Sequence, residues 1–523
     1  MNPFTSAASR PGTANGEIRR AAVRGVGATF LSGGLGLTLQ LISGAVMARL
    51  LPPKDFGLVT MVTTFSLLLL NFGQVGFTEA IVQTEEIDRA VASNLFWLNV
   101  GGSLVLSVGF ASAGSLLARL YNDPRIAGIT EAISLTILLT GISVLHLALL
   151  KRAMKFSQVS ANDFVARIIS VSVAILLGLA GWGYWALVAG VVALSASTTA
   201  GALILCRWIP SFPSRAPGTA RLVRFAANTY VRFATGYFSN NLDNFLVGWR
   251  LGPVSLGYYK RAFDLFALPS VQLGFSLTSV AVSALSRFLH DLAQYRRHFI
   301  GALGIMAFVG MGLSAELTLV GKDVIFVLLG PKWEETGKIF TIFGPGIGMM
   351  LLYSSHIWIN LSIGRADRWL RWGMVDLAVS ALFIVVGLHW GPEGVALGWV
   401  VAYWVITFPA LWYAGRPIHL GILPMIGAIW KHLLAAAMAG SEAFLIGKAI
   451  PSLSAAPGIS GAIARISANS LFFVTLYLGA VILLHSGLGP LKQLARLFRE
   501  MTSRGRFSIP PSIPEHATAS PES

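Results

Sequence analysis

Apolar runs of about twenty residues, separated by short polar breaks, recur along most of the chain. They lie near 25–48, 57–78, 91–118, 126–149, 165–182, 184–206, 222–248, 263–285, 299–320, 339–363, 372–390, 393–414, 423–447 and 462–485. Crossing ~30 Å of hydrocarbon takes about twenty helical residues, so each run predicts a transmembrane span. Helix is the required form, because a spanning segment has no water to satisfy its backbone. The fold class expected is all-α, a polytopic membrane protein with about fourteen transmembrane helices. The largest break, around 321–338, is too short for a folded domain outside the bilayer.

Composition agrees with this pattern. Hydrophobic residues make up 54% of the chain and charged residues only 12%, where a soluble domain carries about a quarter. A net charge of +16 in a soluble protein points to nucleic acid. Here the Lys and Arg are better read as holding loops on the cytoplasmic side and meeting anionic membrane lipid, so no nucleic-acid partner is expected. With the N-terminus in the cytoplasm, the clusters Lys151/Arg152/Lys155, Arg207/Arg215/Arg221/Arg224, Arg287/Arg296/Arg297 and Arg365/Arg368/Arg371 all fall inside. An even number of spans returns the C-terminus to the same side. The polar start, with Arg10, Arg19 and Arg20, leads into a run long enough to span, which predicts no cleaved signal peptide. The single cysteine, Cys206, excludes an internal disulfide and reads as a small buried apolar residue. In residues 488–501, Leu491, Leu494, Ala495 and Phe498 share one helical face while Lys492, Arg496 and Arg499 lie elsewhere, the pattern of an interfacial helix. Beyond 507 the Pro- and Ser-rich tail predicts disorder.

The sequence also repeats itself. ARLLPPKDFG closes the first span and GWRLGPVSLG closes the seventh, so that Leu51, Pro53 and Gly57 recur at one offset as Leu251, Pro253 and Gly257. A second echo pairs WGYWAL after the fifth span with GPEGVAL after the eleventh. An even number of spans separates the copies, which gives them the same orientation. Transporters built from two pseudo-symmetric bundles have this pattern of parallel repeats. The alternative is chance recurrence of Pro-Gly turns between helices. The expected organisation is a cytoplasmic N-terminal segment (1–22), a first six-helix bundle (23–210), a second (211–415), two additional transmembrane helices (416–486), a basic amphipathic helix (487–506) and a disordered tail (507–523).

The chemistry is notable for what it lacks. There is no Walker loop, no His-Glu-x-x-His, no Asp-x-Asp, and the nine histidines show no metal-ligand spacing. Neither catalytic residues nor a metal nor a cofactor is expected. FGPGIG at 343–348 lies inside an apolar span, where Gly and Pro serve to kink a helix or let another approach. Polar residues within spans say more. Tyr237, Asn240, Asn241 and Asn244 share one helical face, and Asp243 flanks it. A carboxylate at that depth is costly unless paired or hydrated. The stripe therefore lines a wet cavity or forms a hydrogen-bond network between helices. Arg24, Arg232 and Arg261 are the cationic candidates, because a guanidinium fork binds two phosphate oxygens at once. Most basic residues near span ends are snorkelling topology markers.

Several of these segments together resemble a known family: ARLLPPKDFG, LYNDP at 120–124, KRAMKF at 151–156, LGYYKRAFDLFALP at 256–269, ALSR at 284–287 and LLGPKW at 328–333. The chain, from about residue 22 to 485, resembles the polysaccharide-transporter branch of the multidrug/oligosaccharidyl-lipid/polysaccharide flippase superfamily. The resemblance implies two six-helix bundles around a central cavity, plus two C-terminal helices. It implies a flippase in the bacterial inner membrane that translocates undecaprenyl-diphosphate-linked oligosaccharide for exopolysaccharide, capsule or O-antigen synthesis. The expected partners are that lipid-linked substrate, membrane lipid and the polysaccharide polymerase machinery. The resemblance also implies cationic residues in the cavity that engage the lipid diphosphate, with no unambiguous equivalent here. The alternatives are a cation-coupled multidrug exporter, dependent on a carboxylate such as Asp243, and a peptidoglycan-precursor flippase. A polymerase or ligase is disfavoured by the short outer connections.

Overall fold

The computed structural model describes residues 15–83, 87–450, 456–489 and 492. The N-terminal segment before residue 15, most of the expected amphipathic helix at 487–506 and the tail at 507–523 lie outside the described residues. Among those described, the chain is helical throughout and no strand occurs. The helices are α1 (Asn15–Leu50), α2 (Pro53–Gln83), α3 (Arg89–Ser112), α4 (Gly114–Leu120), α5 (Arg125–Arg152), α6 (Phe156–Leu179) and α7 (Tyr184–Cys206). They continue as α8 (Thr219–Ser286), α9 (Leu292–Leu329), α10 (Glu334–Ser362), α11 (Ala366–Gly387), α12 (Gly391–Gly415), α13 (Ile422–Ala449) and α14 (Gly458–Leu484). Among the described residues, eleven helical stretches are long and apolar enough to cross a membrane. Both limbs of α8 lie outside those eleven, and one of the stretches, Asp367–Ile418, covers α11 and α12 together.

Local chemistry sets the helix ends. Pro53 opens α2, at a position whose N–H has no intrahelical partner in any helix. The Asp291 carboxylate caps α9 by accepting from the N–H groups of Ala293 and Gln294, each at 3.0 Å. α8 is a 68-residue path broken at Gly252, whose φ of 80° and ψ of 179° suit only a residue without Cβ. Pro253 follows and removes a helix donor, so the chain breaks there into two limbs.

In hydrocarbon, burying apolar surface gains little against lipid, so helices associate through close packing and hydrogen bonds. α2 and α3 pack on α5, and α6 packs on α1 and α7. α10 sits at the centre of a second set, against α8, α9 and α12, with α11 on α12. α13 and α14 pair and lie against α9, where Arg465 grips Asp323 through Nη2 at 2.6 Å and Nε at 3.0 Å. The two sets join along α2 and the first limb of α8. Tyr237 donates to the Thr64 carbonyl (2.8 Å) and Tyr230 to that of Leu68 (3.0 Å). α2 is itself broken at Val75–Gly76, where a Cβ on Gly76 would meet the Ala226 backbone.

Candidate functional site

At one end of the seam, three segments distant in sequence form a single joint. A Cβ added to Gly57 would overlap the carbonyl of Pro253, and one added to Gly257 would overlap that of Pro53. The contact is reciprocal: each Pro-x-x-x-Gly turn places its proline carbonyl on the glycine of the other. Trp333, from LLGPKW, is fully buried beside it and donates Nε1–H to the Ala48 carbonyl at 2.7 Å. Its ring meets Phe56 edge-on at 5.2 Å and Tyr258 at 6.1 Å. Arg49 reaches the Val327 carbonyl at 2.7 Å, which ties the end of α1 to α9.

Arg261 sits one helical turn beyond Gly257 and belongs to the same joint. Its guanidinium lies over the Phe56 ring at 4.2 Å. Among the described residues it has neither an ion pair nor a hydrogen bond; Asp264, one turn away, pairs instead with Lys260 at 2.7 Å. Two adjoining pockets open beside it. One, of about 230 Å³, lies between α1, α6 and α7 and is lined by Gln40, Ser43, Arg167 and Ser170. The other, of about 310 Å³, lies between α1, the second limb of α8 and the end of α9. Gln40, Gly44 and Arg261 border both. Arg167 is paired with Asp163 at 3.0 Å. Arg261 thus makes no ion pair among the described residues, although Asp264 also borders the second pocket.

The polar stripe is shared among several neighbours. Tyr237 bonds to α2, Asn240 is exposed, and Asn241 and Asn244 bond to each other at 3.2 Å. Asp243 faces the interior of the second set of helices and is fully buried. Its Oδ2 accepts from the Tyr259 hydroxyl at 2.7 Å and from Trp399 Nε1 at 3.2 Å, while Oδ1 has no hydrogen-bond partner among the described residues. None of the five is among the residues lining the two pockets beside Arg261. Arg24 lies in α1 and Arg232 in α8, with side chains outside the described residues. Gln40, Ser43 and Arg167 were not singled out from sequence. Arg167 carried a usable signal, since it is an ionisable residue inside an apolar span.

A further hollow, of about 630 Å³, lies between α9, α10, α12 and α13. Its walls are largely apolar, with Met311, Leu319, Trp404, Leu433 and Phe444, and Lys322 and Asp323 also border it.

The family described as "Polysaccharide biosynthesis protein" matches residues 46–338. The succinoglycan biosynthesis transport protein ExoT of Rhizobium meliloti (strain 1021) is 21% identical over 79% of this chain and 85% of its own length. The lipopolysaccharide biosynthesis protein WzxC of Escherichia coli (strain K12) is 21% identical over 73% of this chain and 78% of its own. The solved structure of the lipid II flippase MurJ in an inward closed conformation superposes with a TM-score of 0.68 at 14% identity. It covers 92% of this chain and all of that one. This likeness is one of fold.

Proposed function

The chain belongs to the polysaccharide biosynthesis protein family, and from that premise we propose that it is a flippase for undecaprenyl-diphosphate-linked oligosaccharide. Its cargo serves exopolysaccharide, capsule or O-antigen synthesis. The names of the two relatives, one for transport in succinoglycan biosynthesis and one for lipopolysaccharide biosynthesis, support that cargo class. The observation that carries the reading is Arg261. A guanidinium that makes no ion pair among the described residues and borders two pockets can take an anion, and its fork matches two oxygens of a phosphate. The apolar hollow bordered by α13 suits a polyprenyl chain.

Residues 23–210 and 211–415 act as two six-helix bundles related by a parallel repeat, and the reciprocal Gly57–Pro253 and Gly257–Pro53 contacts are the pivot about which they rock. The helices at 416–486 flank the second bundle. Tyr237, on the first limb of α8, belongs to the moving seam. The protein sits in the inner membrane with both termini cytoplasmic, since that orientation puts the basic clusters inside. It transports rather than catalyses, and it hands its cargo to the polymerase machinery.

Deletion of the gene tests this directly. Surface polymer should disappear while lipid-linked intermediates accumulate in the cytoplasmic leaflet. Normal polymer in a clean deletion, in a strain without a second such transporter, would sink the proposal.

A further inference from the structure

A separate cavity, of about 260 Å³, lies at the other side of the molecule between α9, α13 and the end of α14. Glycines make the room for it: Gly301 and Gly304 on α9 face Gly427 and Ala428 on α13. Among the described residues its polar lining is Lys431, His432 and His485, with no carboxylate. His432 is 4% exposed, and among the described residues it has no hydrogen bond; its Nδ1 is fully enclosed and unpartnered. Its ring stacks on His485 at 4.6 Å and meets Phe308 edge-on at 5.8 Å, which fixes its orientation. His485 Nδ1 lies 3.0 Å from the Val481 carbonyl and so carries a proton, leaving Nε2 as the ring nitrogen that donates to an anion when it takes up the second proton. Lys431 is half-buried and forms no ion pair among the described residues.

A buried imidazole with no partner is costly, and natural interiors rarely tolerate one without a ligand. Here it stands beside a second imidazole and an ammonium that makes no ion pair among the described residues and lies 5.9 Å from the Trp430 ring, a set that suits an anion. Depth identifies the kind. His485 closes α14 where the apolar stretch ends, which sets the cavity at the level of lipid head groups. It opens at the end of the bundle that carries Arg287, Arg296 and Arg297, and Arg296 there bonds to the His419 carbonyl at 3.2 Å. Basic pockets between helices at such an interface take lipid phosphates.

We propose that Lys431, His432 and His485 form a binding site for the phosphate of an anionic phospholipid head group, which bridges the C-terminal helix pair to α9. The site is distinct from the pockets beside Arg261, so flipping activity is not its readout. Purified full-length protein, stripped of lipid in neutral detergent, is titrated with phosphatidylglycerol and phosphatidylcholine, and retained lipid is counted by native mass spectrometry. Wild type should hold one phosphatidylglycerol about tenfold more tightly than Lys431→Gln or His432→Gln does. Phosphatidylcholine should bind all three equally weakly. Lys431 is half-buried, so Lys431→Gln should keep the wild-type melting temperature and separate loss of the site from loss of the fold. Inorganic phosphate is the second arm: no displacement of the lipid at millimolar concentration supports a head-group site, and full displacement reassigns it to free phosphate and overturns the lipid source. Equal phosphatidylglycerol retention by wild type and both variants overturns the site altogether.

Discussion

Gly57 and Pro253 meet so closely that a methyl group at residue 57 would overlap the proline's carbonyl oxygen. Gly257 and Pro53 repeat the relationship in reverse. Such approach needs glycine in each of the two turns, because backbone cannot yield as a flexible side chain does. Gly57→Ala should therefore force the seam apart and cost about 1–3 kcal/mol. Thermal unfolding of the purified protein in detergent checks this. An unchanged melting temperature would mean that the two turns do not bear on each other.

Arg261 should respond differently to loss of charge and loss of shape. Arg261→Gln removes both, and surface polymer in a complemented deletion strain should fall about tenfold or more. Arg261→Lys keeps the charge but not the fork, so its polymer level should lie between the two. Immunoblots for equal membrane abundance make the comparison valid. A lysine variant as inactive as the glutamine variant would count against a role for charge alone, and full activity of both would remove Arg261 from the site.

Asp243 is held by Tyr259 and Trp399. Tyr259→Phe deletes a hydrogen bond to a buried carboxylate and should destabilise by about 1–3 kcal/mol. Combined with Asp243→Ala, the losses should be non-additive by about 1 kcal/mol, because both variants break one interaction. Additive losses would show that the two side chains do not act together.

Outside the spans, Asp123 accepts from the Arg125 side chain at 2.6 Å and 2.9 Å, and this partner holds its carboxyl below the usual carboxylate range. A depressed folded value contributes stability above the unfolded value of about 4, and that stability is lost as pH falls through the folded value. The melting-temperature gap between wild type and Asp123→Asn should thus be open at pH 6 and begin to close below about pH 4. A gap that stays constant down to pH 3 would contradict the pairing.

The joint was legible in sequence because its parts are turn signals. Pro53/Gly57 and Pro253/Gly257 stand out as Pro-Gly punctuation at matching span ends. What the sequence does not hold is that the two copies touch, or that Trp333 fills the space beside them, since those are long-range contacts. Arg261 was visible as a cation near a span end, whereas its lack of an ion pair among the described residues depends on Lys260 taking Asp264. Helical periodicity placed Asp243 beside a polar face but not opposite a neighbour. Tyr259 and Trp399, which complete its surroundings, come from the second limb of α8 and from α12. Gln40 and Ser43 gave no signal, because small polar residues in an apolar helix are commonplace packing elements.

The most direct test of the flippase assignment is translocation by the purified protein. Full-length wild type and Arg261→Gln are reconstituted at equal density into vesicles carrying a fluorescent undecaprenyl-diphosphate oligosaccharide on one leaflet, and its appearance on the other is followed by quenching. Wild type should move the lipid well above the protein-free rate, and Arg261→Gln should fall about tenfold below wild type. Wild-type translocation no faster than in protein-free vesicles would contradict the assignment.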